Sequence, residues 1–440
     1  LETGGPVQGW IREFFGLGYG EYWFPEIRSI GGAICMFSLV LYPYVYLLAR
    51  AAFLDQSVCA LEAARTLGCG PWRSFFAVAL PLARPAIVAG LSLALMETLA
   101  DYGTVQFFGV ATFTTGIFRT WFGLFDETAA GQLSTMLLGF VFVLILLERW
   151  SRRRARFHHS TNRYQALPSV TLPRKKALLC TLACFFPLFL GFILPFLQLL
   201  SWTLDTWRET VNDSFVLLVK HSFLLAGSAA IITLACGLLL AYGNRLRPGK
   251  GQGLLTRLAS MGYAIPGTVI AIGVLIPFGR LDNAVDGWLR ESFDISSGLI
   301  FSGTVFILLF AYLVRFLSVA LQTVESGLGN IRPSMDEAAH SMGYNRMETL
   351  RHIHLPIMKG SLLTALVIVF VDVLKELPAT LVLRPFNFNT LAVRTYELAS
   401  NEQLAEASTP AIAIVLVGIL PVIILSRTIN YSRAGYDKHS

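Results

Sequence analysis

The residues of this sequence best placed to do chemistry are carboxylates set inside long apolar stretches. Glu97 and Asp101 stand four apart in one such stretch, and Asp372 and Glu376 stand four apart in another. Four residues is about one helical turn, so each pair shares a helix face. Member by member, the second pair follows the first by 275 residues. Ionisable groups in hydrocarbon are costly, and they face a cavity or a partner. Two such pairs offer oxygen ligands to a hard cation, and the phenol of Tyr102 adds another oxygen. The set would suit an oxyanion such as sulfate poorly. A structural use is the alternative: pairing with Lys375, or capping helices that break at Gly103 and Pro378. Lys375 also reduces the negative charge that a trivalent cation would meet.

The same offset of 275 relates two polar loops. One reads EAARTLGCGPWRSFFAVALP from Glu62 to Pro81, the other EAAHSMGYNRMETLRHIHLP from Glu337 to Pro356. Glu to Gly is six residues in each, and Gly to Pro thirteen. The agreement continues downstream, where Thr115, Arg119 and Thr120 become Thr390, Arg394 and Thr395. Such internal repetition is the mark of a duplicated unit.

Local chemistry predicts a helix, a glycine turn and a second helix. Ser334 and Glu337 have the spacing of a capping box, which Glu62 lacks a serine to form. Ala63, Ala64, Ala338 and Ala339 offer a small surface that another protein can approach closely. Gly68 and Gly343 can end the first helix in a left-handed turn. Asn345 caps the second helix, Pro71 suits its first position, and Pro81 and Pro356 end it. A loop that merely rests in the membrane interface would not need these residues at identical spacing twice. Docking of another protein is the better reading.

These features must be positioned by membrane helices. Only 14% of the 440 residues are charged and 54% are hydrophobic, against about 25% charged in soluble domains. Nine apolar runs are long enough to cross a bilayer, near 29–50, 86–106, 133–150, 177–200, 222–243, 259–279, 299–322, 361–383 and 410–426. No alternating pattern of a membrane barrel is present, so the expected fold is all-α, a polytopic helical bundle. Basic residues crowd 149–176, 244–257 and the tail beyond 426. The positive-inside rule therefore puts those segments, and both repeated loops, in the cytoplasm.

Six runs separate the two loops, an even number, so the halves are parallel repeats about an axis along the membrane normal. The expected organisation is a first repeat at 1–150, a basic cytoplasmic linker at 151–176 and a second repeat at 177–440. The stretch VQGWIREFF, from Val7, parallels VDGWLRESF, from Val285. Three runs precede the latter within its half and none precedes the former. With Leu1 in first place and no signal peptide ahead of the first run, the expectation is a first repeat lacking its three N-terminal spans.

Other functions fit less well. The basic linker joins two spans and has no nucleic-acid-binding domain around it. GNRLRPGKG, from Gly243, has one residue too many for a phosphate-binding loop and no Ser or Thr after Lys250. The six cysteines have no histidine at zinc spacing, and Cys180 and Cys184 read as buried small hydrophobes. An ion-driven secondary transporter accounts for intramembrane charge but leaves the paired loops unexplained.

Glu-Ala-Ala, three residues, Gly, nine residues, an aliphatic, one residue and Leu-Pro resembles the cytoplasmic-loop signature of permeases of binding-protein-dependent ABC importers. Both loops carry it. The resemblance implies a type I importer permease with each loop seated in one ATP-binding subunit, hence two copies. It also implies a periplasmic binding protein that delivers the substrate, location in a bacterial inner membrane, and ATP and magnesium held by the partner. The chain itself would be no enzyme and would hold no cofactor. Within that family, Glu97–Phe122 and Asp372–Ser400 are similar to fused permeases of ferric iron importers. Importers of thiamine, polyamines or other small solutes share parts of these segments. The resemblance gives no role in nucleic-acid binding.

Overall fold

A computed structural model of the chain describes residues 5–54, 56, 62–64, 66–153, 171–246 and 249–432. The centre of the basic linker, Cys59, Arg65 and the tail beyond 432 lie outside the described residues. Among the described residues every regular element is helical, as backbone in hydrocarbon requires, because only a helix satisfies its amides and carbonyls within one segment.

Seven helices are long and apolar enough to span a membrane. They are α2 (Ile30–Leu54), α3 (Pro71–Ala100), α6 (Glu127–Arg153), α7 (Arg174–Thr210), α8 (Asp213–Leu246), α10 (Gly267–Phe293) and α11 (Val305–Gly329). Between or before them lie α1 (Pro6–Phe15), α4 (Gly103–Phe107), α5 (Phe113–Phe118) and α9 (Lys250–Ala259). After them come α12 (Pro333–Ser341), α13 (Arg346–Ile357), α14 (Lys359–Leu374), α15 (Pro378–Leu383), α16 (Leu391–Ser400) and α17 (Leu404–Ser432).

All nine apolar runs contain helix, but not all are simple rods. The run at 86–106 breaks at Asp101 and Tyr102, the run at 259–279 is broken before Gly267, and the run at 299–322 becomes helical only from Val305. The run at 361–383 breaks after Leu374, where Asp372, Lys375 and Glu376 precede Pro378. Its α14 qualifies as a span only together with α13, to which it is bent by 75°. The last run lies in α17, which carries Pro410 and Pro421 and has a shorter apolar stretch, Leu404–Ile419.

The chain divides into two compact units, Leu1–Gln198 and Leu199–Ser440. The boundary between these units falls inside α7. A helix packs where its surface fits, and in the first unit Gly191 lies against the backbone of Leu39 on α2. There α2 also packs on α3, and α6 packs on α3 and α5. Gly90 permits the α2–α3 approach: a Cβ there would stand 2.7 Å from the Val45 Cα and 2.9 Å from the Tyr44 carbonyl. In the second unit α8, α11 and α14 pack mutually, and Ala226, Ala229, Ile307, Tyr312, Phe316 and Val369 are buried at their centre.

Much of the remaining apolar surface is exposed, as suits helices that meet lipid. Leu179, Leu182 and Phe186 of α7 are exposed. Cys180 and Cys184 are exposed on the same helix, contrary to the expectation of burial. In a bilayer a small apolar residue has no need of a protein neighbour.

Filling a tight helix crossing costs about 1–3 kcal/mol. Gly90→Val should therefore lower the thermal midpoint of the detergent-solubilised protein. Gly139→Val, at a position with open space around it, should leave the midpoint in place. Equal midpoints for the two variants would remove Gly90 as a determinant of the packing.

Candidate functional site

The repeated loops share the same backbone closure at the glycine turn. In the first, Leu67 N–H donates to the Ala63 carbonyl at 3.1 Å and Cys69 N–H to the Ala64 carbonyl at 3.0 Å. In the second, Met342 donates to Ala338 and Tyr344 to Ala339, each at 3.1 Å. This is the closure in which a residue past the helix end reaches back five positions, and it needs a left-handed residue between. Gly68 and Gly343 supply it, with φ of 78° and 85°.

The following helix starts differently in each copy. Gly70 precedes Pro71 in the first. In the second, Asn345 accepts from Met347 and Glu348 N–H at 3.0 and 2.9 Å, while Glu348 accepts from Asn345 N–H at 2.8 Å. That reciprocal box is the one the sequence reading misplaced. Helix α12 opens at Arg332 with no side-chain cap, because Pro333 already fits the first helical position, so Ser334 and Glu337 form no box.

Leu-Pro does not end the second helix either. In both copies the helix widens into a π turn just before it, at Phe75–Ala79 and Leu350–His354. A proline ring collides with the carbonyl four residues back and offers no N–H to it. Opening the turn by one residue removes that conflict. Helix α3 then runs through Pro81 without a stop, and the second copy breaks only at Met358, two residues after Pro356.

The alanines divide by face. Ala64 and Ala339 are buried, whereas Glu62, Ala63, Glu337 and Ala338 are exposed. The expected small outer surface is thus one alanine wide in each copy, the other alanine being turned into its own unit. Beside it stand bare apolar side chains at matching positions. Leu67 is 83% exposed and its counterpart Met342 66%, while Trp72 is 77% exposed and its counterpart Met347 69%. The sequence reading missed this pair because residue type changes between copies while position does not.

The profile of the binding-protein-dependent transport system inner membrane component matches residues 22–156 and again 233–435. The chain belongs to this family. It is a multi-pass membrane permease component, and the family unit occurs in it twice. The chain is 26% identical over 410 residues to the Fe(3+)-transport system permease protein FbpB 2 of Haemophilus influenzae, covering 91% of this chain and 77% of that one. The ferric transport system permease protein FbpB of Actinobacillus pleuropneumoniae is 24% identical, over 84% of this chain and 54% of its own length. A putative 2-aminoethylphosphonate transport system permease protein, PhnV of Salmonella typhimurium, is 25% identical over 52% of this chain and 80% of its own.

In this permease the carboxylates sit where helices break. Asp101 accepts from the Thr104 and Val105 N–H groups at 3.0 and 3.1 Å, capping α4. Its counterpart Glu376 accepts from Ala379 N–H at 3.0 Å, capping α15. Asp372 pairs with Lys375 at 3.0 Å. Glu97 is half-buried one turn before Asp101. Tyr102 is buried, its ring stacked on Phe118 at 3.7 Å, so it serves packing rather than an open surface. Among the described residues no three His, Cys, Asp or Glu side chains gather as metal ligands.

Glu376 has a partner that the sequence reading did not find. Arg315 Nη1 donates to its Oε1 at 2.9 Å, both side chains being at most 10% exposed. Gly267 makes room, since any side chain there would collide with both groups. The first copy has Val40 at the position of Arg315, 275 residues earlier, so Asp101 has no such arginine. Nothing in local sequence links residues 61 apart.

Removing one member of a buried ion pair strands the other, at about 3–5 kcal/mol. Arg315→Met should destabilise the detergent-solubilised protein strongly. Adding Glu376→Gln should recover most of the loss, because the amide oxygen can still cap α15 without a bare charge. A double variant as unstable as Arg315→Met alone would contradict this account of the pair.

Proposed function

We propose that this chain is the transmembrane permease of an ABC importer for ferric iron, driven through its two repeated loops by a separate ATP-binding subunit. The observation that carries the coupling is the duplicated knob: a left-handed glycine turn flanked by exposed apolar residues at equivalent positions. Exposed apolar groups of this kind beside a rigid turn mark a protein contact. Two such knobs suit two copies of the ATPase, which holds ATP and magnesium. A periplasmic binding protein delivers the substrate, as dependence on a binding protein in this family supports. The basic segments support a cytoplasmic position for both loops, in an inner membrane.

Ferric iron rests on likeness to the two ferric permeases, which extends over most of this chain. The carboxylates contribute less than their spacing promises, because Asp101 and Glu376 hold helix ends and Asp372 holds Lys375. Iron then meets transient oxygen contacts on the way through, and selection lies with the binding protein. The likeness to the phosphonate permease supports a second reading, import of a small organic anion.

A β-branched residue at the left-handed turn is strained whatever the space around it. Gly68→Val with Gly343→Val should leave the protein in the membrane while abolishing co-purification of the ATPase and uptake of radioactive ferric iron. Normal uptake by the double variant would sink the docking role. Glu97→Gln with Asp372→Asn, which spares both helix caps, should reduce iron uptake at equal expression. Unchanged uptake would remove these two from the route.

A further inference from the structure

We propose that Arg245 is the positioning residue that fastens the second docking loop to the transmembrane helices, so that the loop and α8 move as one body. This rests on the docking role of the loop. Arg245 lies at the end of α8, and all its hydrogen bonds go to the loop or to the helix before it. Nε and Nη2 donate to Asp336 Oδ2 at 3.1 and 2.8 Å. Nη1 donates to the Leu328 carbonyl at 2.8 Å and Nη2 to the Ile331 carbonyl at 3.1 Å. The planar fork thus binds the first turn of α12 and satisfies carbonyls at the end of α11, a geometry that lysine cannot reproduce.

Asp336 is the second link. Its Oδ1 lies 2.6 Å from Nε2 of His354, which is buried on the π turn before Leu355 and Pro356. Tyr242, one turn before Arg245, donates its hydroxyl to the Arg346 carbonyl at 2.7 Å and sets its ring edge-on to His354. Four elements, α8, α11, α12 and α13, therefore meet at one charged centre. Asp336 and Arg245 are 29% and 20% exposed, so solvent screens their attraction only in part. Burial alone would push the Asp336 carboxyl up, but hydrogen bonds and charge from Arg245 and His354 hold it below the usual carboxylate value.

The first copy is built otherwise. Leu61 and Ala79 stand in the sequence where the second copy has Asp336 and His354. A neutral bond from Gln56 Nε2 to the Ala79 carbonyl, at 2.7 Å, ties that loop instead. The two glycine turns are alike, but among the described residues this charged fastening is seen in the second copy only. An unselective surface ion pair would be worth little. This one is partly buried, forked, and shared among elements on both sides of the loop.

The test uses the complete transporter, permease with its ATPase. Spin labels at Ser334 on α12 and Leu239 on α8, both exposed, report the distance between loop and helix with and without ATP. The wild type should give one narrow distribution in both states. Arg245→Gln, and the milder Asp336→Asn, should retain the ATPase yet give a broadened distribution that shifts with ATP. Combining them should give less than the sum of the two, because the Arg245–Asp336 bonds are common to both, and Arg245→Lys should fall between wild type and Arg245→Gln. Distributions identical to wild type would overturn the proposal. So would loss of the ATPase by both single variants, which would make the cluster a folding element. Absence of the ATPase from the Gly68→Val and Gly343→Val double variant, with the wild type intact, verifies the docking role separately. An ATPase that stays bound to that variant would overturn the docking role and, with it, this proposal.

Discussion

A backbone amide or carbonyl left bare in hydrocarbon costs several kcal/mol, and the breaks in these helices are arranged around that cost. Where α3 stops at Ala100, the carboxylate of Asp101 takes up the first amides of α4. Where α14 stops at Leu374, Glu376 does the same for α15. Thr112, Thr304 and Thr390 cap α5, α11 and α16 with their hydroxyls. Intramembrane charge, the usual sign of a transport path, is here used first to end helices.

Proline imposes the same constraint from the other side. The Leu-Pro of each repeated loop removes one donor from a helix that continues past it, and the chain responds with a π turn in both copies. The response then diverges. The first copy stays one helix from Pro71 to Ala100, whereas the second bends by 75° at Met358. A repeat preserved in its turn geometry is thus not preserved in the helix that follows.

Charge separates the copies as well. Arg315 against Glu376 and Arg245 against Asp336 both belong to the second unit. Val40 and Leu61 occupy the corresponding places of the first for Arg315 and Asp336. The glycine turn and its exposed apolar neighbours are duplicated, while these ion pairs are not.

Sequence by itself determined the helical class, the duplication, and the left-handed turns at Gly68 and Gly343. Those follow from composition, a fixed offset and local backbone sterics, all of which are written in neighbouring residues. It also offered both uses of Asp101 and Glu376 without deciding between them, since the same residue can cap a helix or line a path. Tertiary structure alone buried Ala64 and Ala339, left Cys180 and Cys184 exposed, and joined Arg315 to Glu376. It likewise brought Arg245 to Asp336, 91 positions away. The physical reason is common to these cases: which face of a helix meets protein and which meets lipid depends on neighbours distant in the chain, and an apolar run is equally content with either.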